Sequence, residues 1–165
     1  MRLPQGVMRQ GVVAGLIAAG VVALWFLIFD LIAREPLYTP ATLGSVFFFG
    51  ARSPEEVQFS FLPIFIYTLV HLAAFILLGL IGAAFFIGAE RERTLIIGFA
   101  LVLVTQIPLF LGLLRLLGEW VLESIGFWQV LIGAVLGAAT LVFLLSKAHP
   151  GIVGSLKDQN LEDPH

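Results

Sequence analysis

The chain has 165 residues, 59% of them hydrophobic and only 12% charged, with a net charge of −2 and a mean hydropathy of +1.03. Soluble domains carry roughly twice that charged share, so these residues cannot clothe a water-facing surface, and their long apolar runs point to an all-α membrane protein. The charge balance excludes a basic field for nucleic acid, the scattered Lys and Arg exclude a polybasic lipid-binding segment, and the absence of Cys excludes disulfides, thiolate metal sites, Cys nucleophiles and S-acylation.

The first apolar run extends from Gly11 to Phe29 and continues past Asp30 to Ile32. At 1.5 Å per residue this reaches about 33 Å, enough for a hydrocarbon core of roughly 30 Å. A cleaved signal peptide, with Arg2 and Arg9 as its charged start, competes with this anchor, but the run is longer than such an h-region needs. In the loop that follows, Thr39 and Pro40 resemble a cap and a first helical residue. They predict a helix through Ala41 to Phe49 that is too short to cross a bilayer and is therefore interfacial or partly re-entrant. Ser53, Pro54, Glu55 and Glu56 repeat the cap, proline and acid pattern. A helix is expected to start at Pro54 and run straight into the second span, Phe61 to Ile87.

A charged turn, Glu90 to Arg93, leads to the third span, Thr94 to Leu114, which contains Pro108. A kink is expected there, with Thr105 or Gln106 satisfying the freed backbone. Arg115 to Gly126, carrying Glu119, Trp120 and Glu123, suits an amphipathic interfacial stretch, and the fourth span covers Phe127 to Lys147. Residues 1–149 thus form one four-helix transmembrane bundle, and the polar tail 150–165 reads as disordered. The amino terminus, second loop and carboxy terminus hold Arg2, Arg9, Arg91, Arg93, Lys147 and Lys157, whereas the first and third loops hold Arg34, Arg52 and Arg115. That bias puts both termini in the cytoplasm.

Small residues give the clearest face pattern. Gly11, Gly15, Ala19 and Ala23 recur every four residues on the first span, Gly133 and Gly137 on the fourth, and Gly79 with Ala83 on the second. Such stripes let helix backbones approach closely, either within the bundle or against another polypeptide; the length of the first stripe favours docking another chain.

Polar groups within the spans are the other candidates. Tyr67 and His71 lie four apart on one helix face, and Gln106 falls at a similar depth on the adjacent antiparallel span. A neutral His71 hydrogen-bonded to Gln106 or to a backbone carbonyl, joining two helices, is the structural expectation. A haem or pigment ligand, or a quinone-head or proton-relay site formed by Tyr67, His71 and Gln106, are the functional ones. Asp30 and Gln129 sit higher, on the outer polar rim. There Asp30 can reach water, pair with Arg34 four residues on, or cap the Thr39–Pro40 helix and pin the loop to the bundle. Glu55, Glu56, Glu119 and Glu123 belong to the same side as solvated helix starts, with an unspecific cation site as the alternative. No phosphate loop, metalloprotease motif, nucleophile elbow or paired carboxylates within a span occurs, so neither catalytic residues nor metal ligands are assigned.

The stretch Trp25, Phe26, Leu27, Asp30, Pro36, Thr39, Pro40, Leu43 and Gly44, with Tyr67 to His71, resembles uncharacterised small four-span bacterial inner-membrane proteins. The resemblance covers the first half of the chain and implies a bacterial inner-membrane origin without catalytic residues. Two functions fit. One is a non-catalytic subunit or scaffold that packs in the bilayer with itself or with a larger respiratory or photosynthetic complex. The other is a small redox, quinone-binding or transport protein using Tyr67, His71 and Gln106.

Overall fold

The computed structural model describes residues 5–89, 92 and 94–149, so the expectation of a disordered tail at 150–165 lies outside the described residues. Among the described residues six helices follow one another: α1 Gln5–Ala33, α2 Tyr38–Phe49, α3 Phe61–Ala89, α4 Thr94–Leu117, α5 Glu119–Ile125 and α6 Phe127–Ala148, with a 3-10 turn at Pro54–Glu56. Four of them, α1, α3, α4 and α6, are long and apolar enough to cross a membrane. The chain is an all-α, multi-pass membrane protein with a short helix between its first two spans.

The bundle is built on α1, which packs most extensively on α3 and next on α6. Missing side chains set that geometry. A Cβ on Gly11 would lie 2.9 Å from both Gly79 O and Leu80 Cα, and one on Gly15 would meet Phe75 O and sit 2.7 Å from Ile76 Cα. The two backbones therefore touch where the stripes of α1 and α3 cross, which maximises dispersion between helices that lipid does not push together. Ala14 and Ala18 extend this contact into a core with Ala83, Phe86, Phe99, Leu103, Leu141 and Leu145 at the end where the chain begins. A second core, at the opposite or loop end, joins Leu43 and Val46 of α2 with Leu114, Val121, Leu122, Ile125 and Val130.

The expected short helix between the first two spans is present as α2, with Ala41, Thr42, Leu43, Gly44, Ser45 and Val46 buried in succession and Phe48 and Phe49 exposed at its end. Its Gly44 lies against the Pro63 carbonyl of α3, leaving no room for a side chain. Two expectations are corrected here. First, Thr39 is not its cap. The helix starts at Tyr38 after Leu37, whose φ of 65° reverses the chain, and Asp30 caps it from α1. Second, no continuous helix runs from Pro54 into the second span. Val57 is extended, and the Ser45 hydroxyl accepts the Gln58 N–H at 2.9 Å, so α3 begins afresh at Phe61. By contrast α4 is one unbroken helix through Pro108, but its only buried residues are Phe99, Leu103 and Leu114. It is the most loosely held span.

Candidate functional site

The polar rim at the loop end is a connected clamp. Asp30, one turn from the end of α1, is wholly buried. Its Oδ2 accepts the Thr39 N–H at 2.9 Å and its Oδ1 accepts the Thr39 hydroxyl at 2.8 Å, so the carboxylate meets the electropositive start of α2. Arg34 Nη1 stands 3.5 Å from the same Oδ1. Its Nη2 donates to Ile125 O, the carbonyl ending α5, at 2.8 Å and to Gln129 Oε1 at 3.3 Å. The circuit closes where Trp25 Nε1 donates to Gln129 O at 3.0 Å. Asp30 and Gln129 are therefore brought together through Arg34, and α1, α2, α5 and α6 are tied in one network. A buried carboxylate matched by one guanidinium and two capping bonds carries its charge with partners on both oxygens. The arrangement can hold the fold.

The Tyr67, His71 and Gln106 group is only half assembled. The Tyr67 and His71 rings stack with centroids 5.9 Å apart, and Phe75 follows at 4.8 Å from His71, making an aromatic ladder along α3. His71 Nε2 lies 3.2 Å from Ala19 O on α1. Of the two expected partners, Gln106 or a carbonyl, His71 meets the carbonyl: the close Gly15–Phe75 crossing turns this face of α3 towards α1 instead of α4. The nitrogen usually offered to a haem iron is already engaged, with Nε2–H donating to the carbonyl. Thr105 does not serve the backbone freed by Pro108 either, since its hydroxyl bonds Leu101 O at 2.7 Å. Gln106 has no side-chain hydrogen bond among the described residues.

Small-residue stripes are used inside the chain. Gly11, Gly15 and Ala19 are buried, whereas Ala23 is exposed. Gly133 faces Phe26 and Trp25, and Gly137 faces Phe75 and Val22. The expectation that the first stripe docks another polypeptide is corrected accordingly, because α3 occupies that groove.

The remaining rim acids are dispersed. Glu56 accepts the Arg52 N–H at 2.8 Å, and the Ser53 hydroxyl beside Glu55 holds that carboxyl below its ordinary range. Glu119 and Glu123 line a groove of about 360 Å³ with Arg115, Leu122, Gly126 and Phe127. Among the described residues, no three His, Asp or Glu side chains converge as a metal site. Sequence reasoning missed Arg34 as the hub, and it missed a groove of about 390 Å³ lined by Arg34, Glu35, Tyr38 and Phe59. The one available signal was the i, i+4 spacing of Asp30 and Arg34. Comparisons with family models, with curated proteins and with solved structures find no match to this chain.

Proposed function

We propose that this protein is a non-catalytic subunit of the bacterial inner membrane, with both termini cytoplasmic, that joins itself or a larger membrane complex through α4. The observation that carries this reading is Gln106. It stands at the middle of α4, seven residues after Phe99 and three after Leu103, on the side that carries the buried contacts. Yet between Leu103 and Leu114 that helix buries nothing, and the amide has no partner among the described residues. Hydrocarbon offers an unpaired amide nothing, whereas a neighbouring helix supplies a donor and an acceptor.

Native mass spectrometry in a mild membrane mimetic tests this. A discrete oligomer or complex is expected for the wild type, shifting to the monomer mass in Gln106→Leu with helical circular dichroism unchanged. A monomer in both overturns the proposal. The stacked Tyr67–His71 pair favours a second reading as a small redox or quinone-binding protein. An absorption spectrum or quinone extraction of the purified protein decides it.

A further inference from the structure

The groove between Arg34, Glu35, Tyr38 and Phe59 belongs to neither the clamp nor α4. It opens at the loop end, where Glu35 follows α1, Tyr38 begins α2 and Phe59 precedes α3. The Tyr38 and Phe59 rings form one part of it, with centroids 5.8 Å apart and planes tilted by 40°. The Arg34 guanidinium lies 5.4 Å from the Tyr38 centroid. The chain on either side exposes Ile32 (78%) and Phe61 (76%), apolar surface suited to acyl chains. The groove thus stands at the depth where lipid headgroups meet hydrocarbon, the level at which interfacial aromatic rings sit.

Charge selects the occupant. Arg34 has five N–H donors: Nη2 is taken by Ile125 and Gln129 and Nη1 is buried beside Asp30, which leaves the Nε–H for a phosphate oxygen. Its positive charge, however, is already balanced by Asp30. The exposed Glu35 carboxylate, which forms no ion pair among the described residues, makes the groove negative as a whole. A purely anionic headgroup is repelled by that balance. A headgroup that carries its own cation beside its phosphate is matched, because adjacent residues present a guanidinium and a carboxylate side by side. One face of Tyr38 is taken by Arg34, so the carboxylate, not an aromatic cage, must hold that cation. This calls for N–H donors, which a quaternary ammonium lacks.

We propose that the groove formed by Arg34, Glu35, Tyr38 and Phe59 is a binding site for a phospholipid with a primary-ammonium headgroup, of the phosphatidylethanolamine type. Glu35 receives the ammonium, Arg34 the phosphate, and the two rings the glycerol region. The site is independent of any partner on α4.

The test is thermal unfolding of the full chain in detergent, followed by tryptophan fluorescence, during titration with phosphatidylethanolamine, phosphatidylcholine or phosphatidylglycerol. Phosphatidylethanolamine is expected to raise Tm saturably and at lower concentration than the other two. Glu35→Gln, at an exposed position, should weaken that midpoint about tenfold and erase the preference over phosphatidylcholine. Phe59→Ala, also exposed, should weaken all three lipids. Equal stabilisation by the three lipids, a preference for phosphatidylglycerol, or a preference that survives Glu35→Gln would each overturn the assignment. So would an equal effect from soluble phosphoethanolamine, which would make the groove a solute site.

Discussion

At the scale of single residues, the cost of each polar group depends on what it would leave behind. Asp30 is wholly buried and serves Thr39 twice and Arg34 once. Asp30→Ala therefore strands an N–H, a hydroxyl and a guanidinium that is only 17% exposed together, and it should cost about 3 kcal/mol. Unfolding in mixed detergent micelles measures this, and a loss within about 0.5 kcal/mol would mean that the clamp is incidental. His71 makes one contact of this kind, to a backbone carbonyl. Its replacement by Leu should cost only about 1 kcal/mol, the ordinary worth of an interhelical hydrogen bond in a membrane, and leave the absorption spectrum unchanged. A coloured protein that bleaches on His71→Leu would contradict this and favour a cofactor ligand.

At the scale of helices, the glycines of α1 behave differently although their spacing looks alike. An added Cβ at Gly15 runs into the Phe75 carbonyl and Ile76 Cα, which are backbone and cannot rotate away, whereas one at Gly20 meets nothing within 4 Å. Gly15→Ala should destabilise the protein by about 2 kcal/mol through overpacking, while Gly20→Ala should be neutral or gain up to about 1 kcal/mol of helix propensity. Equal effects in parallel thermal melts would show that α1 and α3 are not in backbone contact. The same contact explains what could be read in advance. The four spans were legible because runs of twenty apolar residues have few other uses, and capping of the second helix by Asp30 was among the expectations for that residue. The partner of His71 was not legible. Depth alone offered both Gln106 and a carbonyl, and the choice rests on how two glycine stripes interlock. The burial of Ala41 to Val46 in α2 had a signal in its composition: from Tyr38 to Phe49 it carries no charge and so has no charged face to turn to water.

At the scale of the whole molecule, the two ends differ in construction. The loop end carries the clamp, the buried α2 and the amphipathic α5, whose Val121, Leu122 and Ile125 are buried while Glu119 and Glu123 stay exposed. The other end holds the starts of α1 and α4 and the ends of α3 and α6, and the sequence segments adjoining them contain six Lys and Arg (Arg2, Arg9, Arg91, Arg93, Lys147 and Lys157), against Arg34, Arg52 and Arg115 in the segments of the loop end. Basic residues in short flanks are retained on the cytoplasmic side during insertion, whereas Asp and Glu contribute little, so the acids of the loop end do not disturb the bias. The loop end should therefore face away from the cytoplasm. Glu55 and Glu92 are both exposed and lie beyond opposite ends of α3, whose 29 residues separate them by roughly 40 Å. Because the chain has no Cys, Glu55→Cys and Glu92→Cys each give a single thiol. In intact cells an impermeant maleimide should label the first, and should reach the second only after the membrane is opened. The opposite pattern would invert the topology and bring the Arg34–Glu35 groove to the cytoplasmic leaflet. Labelling of both in intact cells would mean that α3 does not cross the bilayer at all.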